Sequence, residues 1–343
     1  MNYTASMSVQ NIPDPVRSVM NITPSISNHD QPIGARFYTI AGGRLSPEKP
    51  PGAEDLSIIL FNPGTGPFRE PRLDELSHLN AREIFSIESE PGPKEALNLV
   101  KRYRNLRFLL FPNVVNNGTR INTAISEASS AHCLILPGYA QLGLTPHAMQ
   151  RIWRKSQLCS VPILLDKDGG ILPTAVGPMP DIDSRFQALP TAPGQGDSPT
   201  LLPWDFCGIY LRDRHLALGG FDQAIGEDWW QLLEYGMRAW LWGEEISIDP
   251  VCQVRYLTDP PTADMSPRQG YRRFFLKTVA VQRNGGIGRL TRFQWWAYLR
   301  DSKDSSAAAG ADWKDISRWV QRNRHRFVMD AKELTENWQW TQE

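Results

Sequence analysis

From Leu56 onward the chain breaks into short, nearly continuous apolar runs separated by amphipathic stretches. Leu56-Ser57-Ile58-Ile59-Leu60-Phe61 closes at Asn62-Pro63-Gly64, and similar runs stand at Ile84–Ile87, Arg107–Phe111 and Cys133–Leu136. Short apolar runs without alternation are expected of strands buried on both faces. Helical patterns lie between them at Pro71–Ala81, Lys94–Tyr103 and Arg120–Ser129. This repeated alternation predicts right-handed βαβ units around a parallel sheet. Ligands of such sheets bind beyond the carboxyl ends of the strands, which directs attention to residues 62–66, 88–91, 112–117 and 137–141.

Further along, the pattern predicts a helix over Pro146–Lys155, a strand at Val161–Leu165 and the turn Asp166-Lys167-Asp168-Gly169-Gly170. The stretch Pro173–Pro203 is rich in Pro and Gly and reads as a long surface loop over the sheet; long loops in compact domains are often functional. A strand at Phe206–Leu211 follows, and then helical patterns at Tyr271–Arg283, Arg292–Arg300 and Trp313–Leu334. Before Leu56 the chain is mostly polar and irregular in pattern, apart from Ala35–Ile40, which has the character of an edge strand. Three regions are expected: an irregular extension over 1–54, an α/β domain over 55–258 and a basic, Trp-rich helical region over 259–343.

Charge narrows the class of partner. Lys plus Arg and Asp plus Glu each total 37, for a formal net charge of zero, so no whole-molecule field favours nucleic acid. An anion site has to be local. Cys133, Cys159, Cys207 and Cys252 form no CxxC pair and sit in apolar surroundings, as expected of reduced, buried thiols. With no apolar leader pattern at the start and no long apolar span, the expected location is the cytoplasm.

The most distinctive segment runs Gly208-Ile209-Tyr210-Leu211-Arg212-Asp213-Arg214-His215-Leu216-Ala217-Leu218-Gly219-Gly220-Phe221-Asp222, followed by Gly226-Glu227-Asp228-Trp229-Trp230. Glycines at 219 and 220 permit positive φ and close backbone approach. Glu227-Asp228 places carboxylates where a helix N-terminus favours negative charge; they are either an acidic first turn or groups facing a cleft. A strand ending in Arg, a short helix, Gly-Gly-Phe-Asp and then an acidic pair opening a helix resembles the family 2 glycosyltransferases. Asn116-Asn117-Gly118-Thr119-Arg120-Ile121-Asn122 is similar to that family's Asn/Gly, Arg and Asn stretch, although Arg120 and Asn122 also suit capping and surface solvation. The resemblance covers about Ser57 to Ile248.

It implies a GT-A-like (Rossmann-like) mixed, mainly parallel sheet with helices on both faces, plus a helical C-terminal appendage. It further implies inverting transfer of a sugar from a UDP- or GDP-sugar to a glycan or lipid-linked acceptor, as in cell-surface polysaccharide biosynthesis. Asp228 is then the general base, with Glu227 beside it. The donor is expected to border Asn62, Pro63, Glu88, Arg120, Asn122, Pro137, Gly138, Tyr139, Gly219 and Gly220, with Arg273 and Arg289 reaching the diphosphate.

One departure bears on cofactors. The family ends its fourth strand with an Asp-x-Asp that holds Mg2+ or Mn2+, whereas here the chain reads Leu136-Pro137-Gly138-Tyr139-Ala140-Gln141. Asp166-Lys167-Asp168 is either a displaced metal site or the Asp-x-Asp-Gly turn of many members. The departure leaves a second reading open, a GT-A pseudo-enzyme that binds a glycan, nucleotide or protein without turnover. Between Met265 and Asp330 there are 14 Lys/Arg against five Asp/Glu, with Trp295, Trp296, Trp313 and Trp319 interleaved. That region is either a basic helical cap packed on the domain or a surface for anionic lipid headgroups.

Overall fold

The computed structural model describes residues 38–43, 54–61, 69–90, 92, 94–112, 115–143, 151–152, 154–179, 186–266, 269–291 and 306–340. Its leading half follows the alternation of the sequence. After the edge strand β1 (Thr39–Ala41) come β2 (Glu54–Phe61), α1 (Arg69–Ser77), β3 (Ala81–Ser89), α2 (Ala96–Arg102), β4 (Leu106–Phe111), α3 (Asn117–Glu127) and β5 (His132–Pro137). Strands β2, β3, β4 and β5 pair in parallel, with Ile59 opposite both Phe85 and Ile135. β1 runs antiparallel along β4.

The second half comprises β6 (Ala140–Gly143), β7 (Cys159–Leu165), β8 (Ala175–Met179), β9 (Gln187–Thr191), β10 (Ser198–Pro199), the 3-10 turn Trp204–Phe206, β11 (Gly208–Leu211), α4 (Arg212–Leu218), α5 (Asp228–Leu241) and β12 (Ile246–Tyr256). It mixes directions, with β7 and β12 running parallel to strands β2 to β5 and β6, β10 and β11 opposite to them. β11 lies antiparallel between β5 and β7, and β12 extends the sheet beside β7. The sheet order is β1-β4-β3-β2-β5-β11-β7-β12-β10, with β6 on β12.

Period-2 alternation divides the apolar side chains between two faces. Ile59, Phe61, Phe85, Ile87, Phe111 and Ile135 pack with Ile121, Ile125, Leu218, Trp229 and Trp230 on one side. Leu56, Ile58, Leu60, Ile84, Phe108 and Leu136 pack with Leu73, Leu76 and Leu99 on the other. Burial on both faces explains why these strands read as continuous apolar runs. All four cysteines are buried and free.

Three sequence expectations need correction. Residues 173–203 are not a structureless loop: β8 and β9 form a hairpin, and Ala175, Val176, Leu201 and Leu202 are buried. The helix expected over Tyr271–Arg283 is α6 (Gln269–Lys277), and β13 (Val281–Asn284) turns back on β14 (Ile287–Leu290) after it. Gly285 and Gly286, at φ 61° and 80°, make that hairpin turn possible. The Trp313–Leu334 pattern is two helices, α7 (Ser306–Asn323) and α8 (Ala331–Glu336), the second opened by an Asp330–Glu333 capping box. The Arg292–Arg300 helix lies outside the described residues, as does most of the Pro146–Lys155 helix.

The C-terminal region shares the core of the sheet domain. Phe274, Ile316, Val320, Phe327 and Leu334 are buried in the same cluster as Trp229 and Tyr235. Trp319 stacks on Trp242 at 5.6 Å and 14°, and the Lys277 ammonium lies 4.3 Å from the Trp319 ring centre. Among the described residues no helix is long and apolar enough to cross a membrane.

Candidate functional site

The parallel strands bring their carboxyl ends together, and the second half of the sheet supplies the groups that meet them. The Gly138 N–H donates to the Phe61 carbonyl at 2.7 Å, joining the end of β2 to the residues after β5. Tyr139 then stacks on Tyr256 at 5.8 Å and 20°. The hydroxyls of both tyrosines donate to one oxygen of Asp205, at 2.8 and 3.1 Å. Asp205 lines a cleft of about 250 Å³ with Trp204, Glu227, Asp228, Trp229 and Asp264. Ligand pockets run from about 300 to 1,000 Å³, so this cleft suits a fragment of a ligand, such as one sugar ring.

Asp228 enters the cleft on the first turn of α5 and is anchored from α3. Asn117 Nδ2 donates to its Oδ2 at 2.8 Å. The two helices meet closely because Gly118 has no side chain; a Cβ there would collide with Gln231, whose Oε1 accepts from the Gly118 N–H at 2.8 Å. The Asp228 carboxylate is open to the cleft, but the protein wall displaces enough water to raise its pKa, against the pull of Asn117 and Arg120. Asp205 responds more strongly. Burial pushes it up to about 7, and the Asp228 charge adds to the effect while the tyrosine hydroxyls oppose it.

Arg120 is buried beside the Phe111 ring, 6.0 Å from its centre. Its Nε has no hydrogen-bond partner among the described residues. Burial lowers its pKa and the neighbouring Asp228 raises it. A buried guanidinium with an uncommitted N–H is equipped to receive an anionic oxygen.

Other residues singled out from the sequence are placed differently. Gly219 ends α4 at φ 95°, and Gly220, at φ 67°, lies so close to Asn122 that a Cβ would strike its amide. Asn122 grips the same turn: its Oδ1 accepts from the Phe221 N–H at 2.8 Å, and its Nδ2 donates to the Phe221 carbonyl at 2.8 Å. These three residues join α3 to the loop that carries Asp222 and leads to Asp228. Glu227 packs against the backbone of Gly270, where any Cβ would collide. Glu88, at the end of β3, accepts from Arg69 at 2.7 and 2.8 Å and from Ser86 at 2.7 Å.

Arg273 is held by Asp222 at 2.7 Å and Asp315 at 3.0 Å, and Arg289 is exposed on β14. Asn62 and Pro63 lie outside the described residues. Asp166 Oδ1 accepts from the N–H groups of Asp168 and Gly170 at 2.9 and 2.8 Å, a local turn of the kind Asp favours. Asp168 is exposed on that turn.

Asp205 was not singled out from the sequence. Its only local signal is a polar residue flanked by two aromatics, Trp204 and Phe206, just before a strand.

No carboxylate follows β5, and among the described residues no group of three His, Cys, Asp or Glu side chains is placed to hold a metal.

Neither a protein-family model nor a curated protein matches this chain. Solved structures do. GalNAc-T7 with UDP, GalNAc and Mn2+ superposes at a TM-score of 0.54 and 12% identity, over 82% of this chain and 57% of that one. The protein thus has a GT-A-like glycosyltransferase fold, and it spans little more than half the length of that neighbour. TarS 1-349 of S. aureus in complex with UDP-GlcNAc is similar at TM-score 0.44 and 14% identity, covering 78% and 72% of the two chains. The mannosyltransferase PcManGT from Pyrobaculum calidifontis, in complex with GDP-Man and Mn2+, stands at 0.41 and 12%, covering 79% and 70%.

Proposed function

We propose that this protein is a glycosyltransferase that moves a sugar from a UDP- or GDP-sugar to a hydroxyl of a glycan or lipid-linked acceptor, with inversion at the anomeric carbon. The observation that carries this reading is the setting of Asp228: a carboxylate bonded from α3 that faces a one-ring cleft shared with Asp205, the residue to which Tyr139, just after β5, donates its hydroxyl. In the reaction the acceptor hydroxyl gives its proton to Asp228 while its oxygen bonds to the anomeric carbon. The bond from that carbon to the diphosphate oxygen breaks, and its electron pair leaves with the nucleotide. A raised pKa brings a carboxylate closer to the working pH and makes it a better base.

The cleft itself carries acidic side chains and, among the described residues, no Lys, Arg or His. It therefore suits the acceptor rather than the diphosphate. Arg120, buried and within electrostatic reach of Asp228, is the cation assigned here to the leaving group.

A second reading, a nucleotide- or glycan-binding module without turnover, is favoured by one observation. Tyr139 stands where the family places carboxylates, and it gives its hydroxyl to Asp205. Calorimetric titration of UDP- and GDP-sugars, with and without Mn2+, followed by a transfer assay on whichever donor binds, separates the two. The transfer reading expects donor binding and turnover; binding without turnover on any acceptor tried would support a nucleotide-binding module, and no donor binding would remove the transfer reading and leave a module that binds a glycan or a protein.

A further inference from the structure

The cleft contains a carboxylate that the reaction described above leaves unused. Asp205 lies in the 3-10 turn with φ of 52°, and Phe206 follows at 58°. Residues other than glycine seldom occupy that region, and a strained pair persists only where its surroundings hold it. Here the stacked rings of Tyr139 and Tyr256 converge on Asp205 Oδ2, each donating a hydrogen bond. Its Oδ1 has no partner among the described residues, and the side chain lines the same cleft as Asp228. Two hydroxyls thus fix one oxygen of the carboxylate and leave the other available to whatever enters.

The walls suit a sugar ring. Trp204 and Trp229 meet edge to face at 5.8 Å and 69° in the cleft, offering apolar surface, and a few placed polar groups then set orientation. We propose that Asp205 is an acceptor-binding residue whose Oδ1 takes a hydrogen bond from a hydroxyl adjacent to the one that Asp228 deprotonates. This rests on the transfer reading given above. The burial that raises the Asp205 pKa to about 7 is consistent with a group whose charge awaits a hydrogen-bond donor.

The test uses the full chain and three probes, methyl β-glucoside, methyl β-galactoside and methyl α-mannoside, with binding followed by saturation-transfer NMR. In Asp205→Asn the amide oxygen can accept both tyrosine hydroxyls, and Asn tolerates positive φ well. The substitution therefore keeps the turn and replaces the cleft-facing acceptor by a donor. At least one glycoside is expected to bind the wild type and to bind D205N about ten- to a hundredfold more weakly, the scale of one lost hydrogen bond to a charged group. The circular dichroism, the melting temperature and the calorimetric affinity for the nucleotide sugar should not fall. Tyr256→Phe, which removes one of the two fixing hydroxyls, should weaken the same glycoside by a smaller factor. Equal glycoside binding by wild type and D205N, or no binding of any of the three probes to the wild type, would overturn the assignment. Absence of nucleotide-sugar binding would instead count against the transfer reading, while the glycoside titration would still decide the role of Asp205.

Discussion

Asp222 and Asp228 flank the same loop, yet they occupy opposite electrostatic settings. Asp222 is a sheltered carboxylate saturated with cations: Arg273 and Lys277 bond the same oxygen at 2.7 and 2.8 Å. Lys277 also reaches Glu234 at 2.6 Å, and Glu234 holds Arg238 at 2.7 Å. Burial works to raise the Asp222 pKa, but the two cations win and hold it well below the usual carboxylate range. Asp228 and Asp205 share a cleft without a cation in its described lining, and both are raised. A carboxylate whose partners are all internal stabilises a structure; one left short of partners is available to a substrate. The contrast explains why the Gly-Gly-Phe-Asp segment and the Glu-Asp pair, adjacent in the motif, do different work. The first clamps the C-terminal helices to the sheet, and the second lines the cleft assigned above to the acceptor.

The comparison breaks most visibly at Asp228. Asp228→Asn should lower kcat by about 10^2- to 10^4-fold, the usual worth of a general base, with donor affinity little changed. Steady-state kinetics beside calorimetry checks this, and unchanged turnover would remove Asp228 as base. Asp222→Ala should act on stability instead. It removes one of two carboxylate partners from both Lys277 and Arg273, which keep Glu234 and Asp315, at a cost of about 1.5–3 kcal/mol by denaturant unfolding.

The pH dependence of folding gives a sharper contrast of sign. Asp222 has a depressed folded pKa, so its contribution is complete above the unfolded value of about 4 and is lost as the pH falls further. Asp205, facing Tyr139, Tyr256 and the Asp228 charge, has a raised one, so it costs stability progressively as the pH rises from about 4 to about 7. Melting curves should therefore show D205N gaining on the wild type over that interval, by about 1–3 °C at pH 8. A parallel pH profile for the two proteins would contradict the assignment of that shift to Asp205. The smallest effect belongs to the turn. Asp166→Ala should cost about 1 kcal/mol for its backbone hydrogen bonds and leave any Mn2+ effect on donor binding unaltered; loss of a Mn2+ effect would restore the Asp166/Asp168 metal site.

How much of this could be read beforehand follows from where each signal resides. Strands β2 to β5 were legible because burial on both faces writes a continuous apolar run into the sequence. β12 was not: Asp249 and Pro250 interrupt it, and the structure absorbs them in a register shift between Asp249 and Gln253. The hairpin of β8 and β9 was hidden by the same proline content that suggested a loop. Within the candidate site, Asp228 carried a local motif. Asp205 carried none, because its setting depends on Tyr139 and Tyr256, which only the folded sheet brings to it. Arg273 illustrates the converse. Its charge was visible, but its commitment to Asp222 and Asp315 is a property of how α6 and α7 pack.

The most direct test is a crystal structure of the chain bound to whichever nucleotide sugar it takes up in solution. The diphosphate should lie beyond the carboxyl ends of β2 and β5, near Arg120, with the anomeric carbon facing the cleft that Asp228 lines. A nucleotide bound elsewhere, with Asp228 turned away from the sugar, would contradict the account.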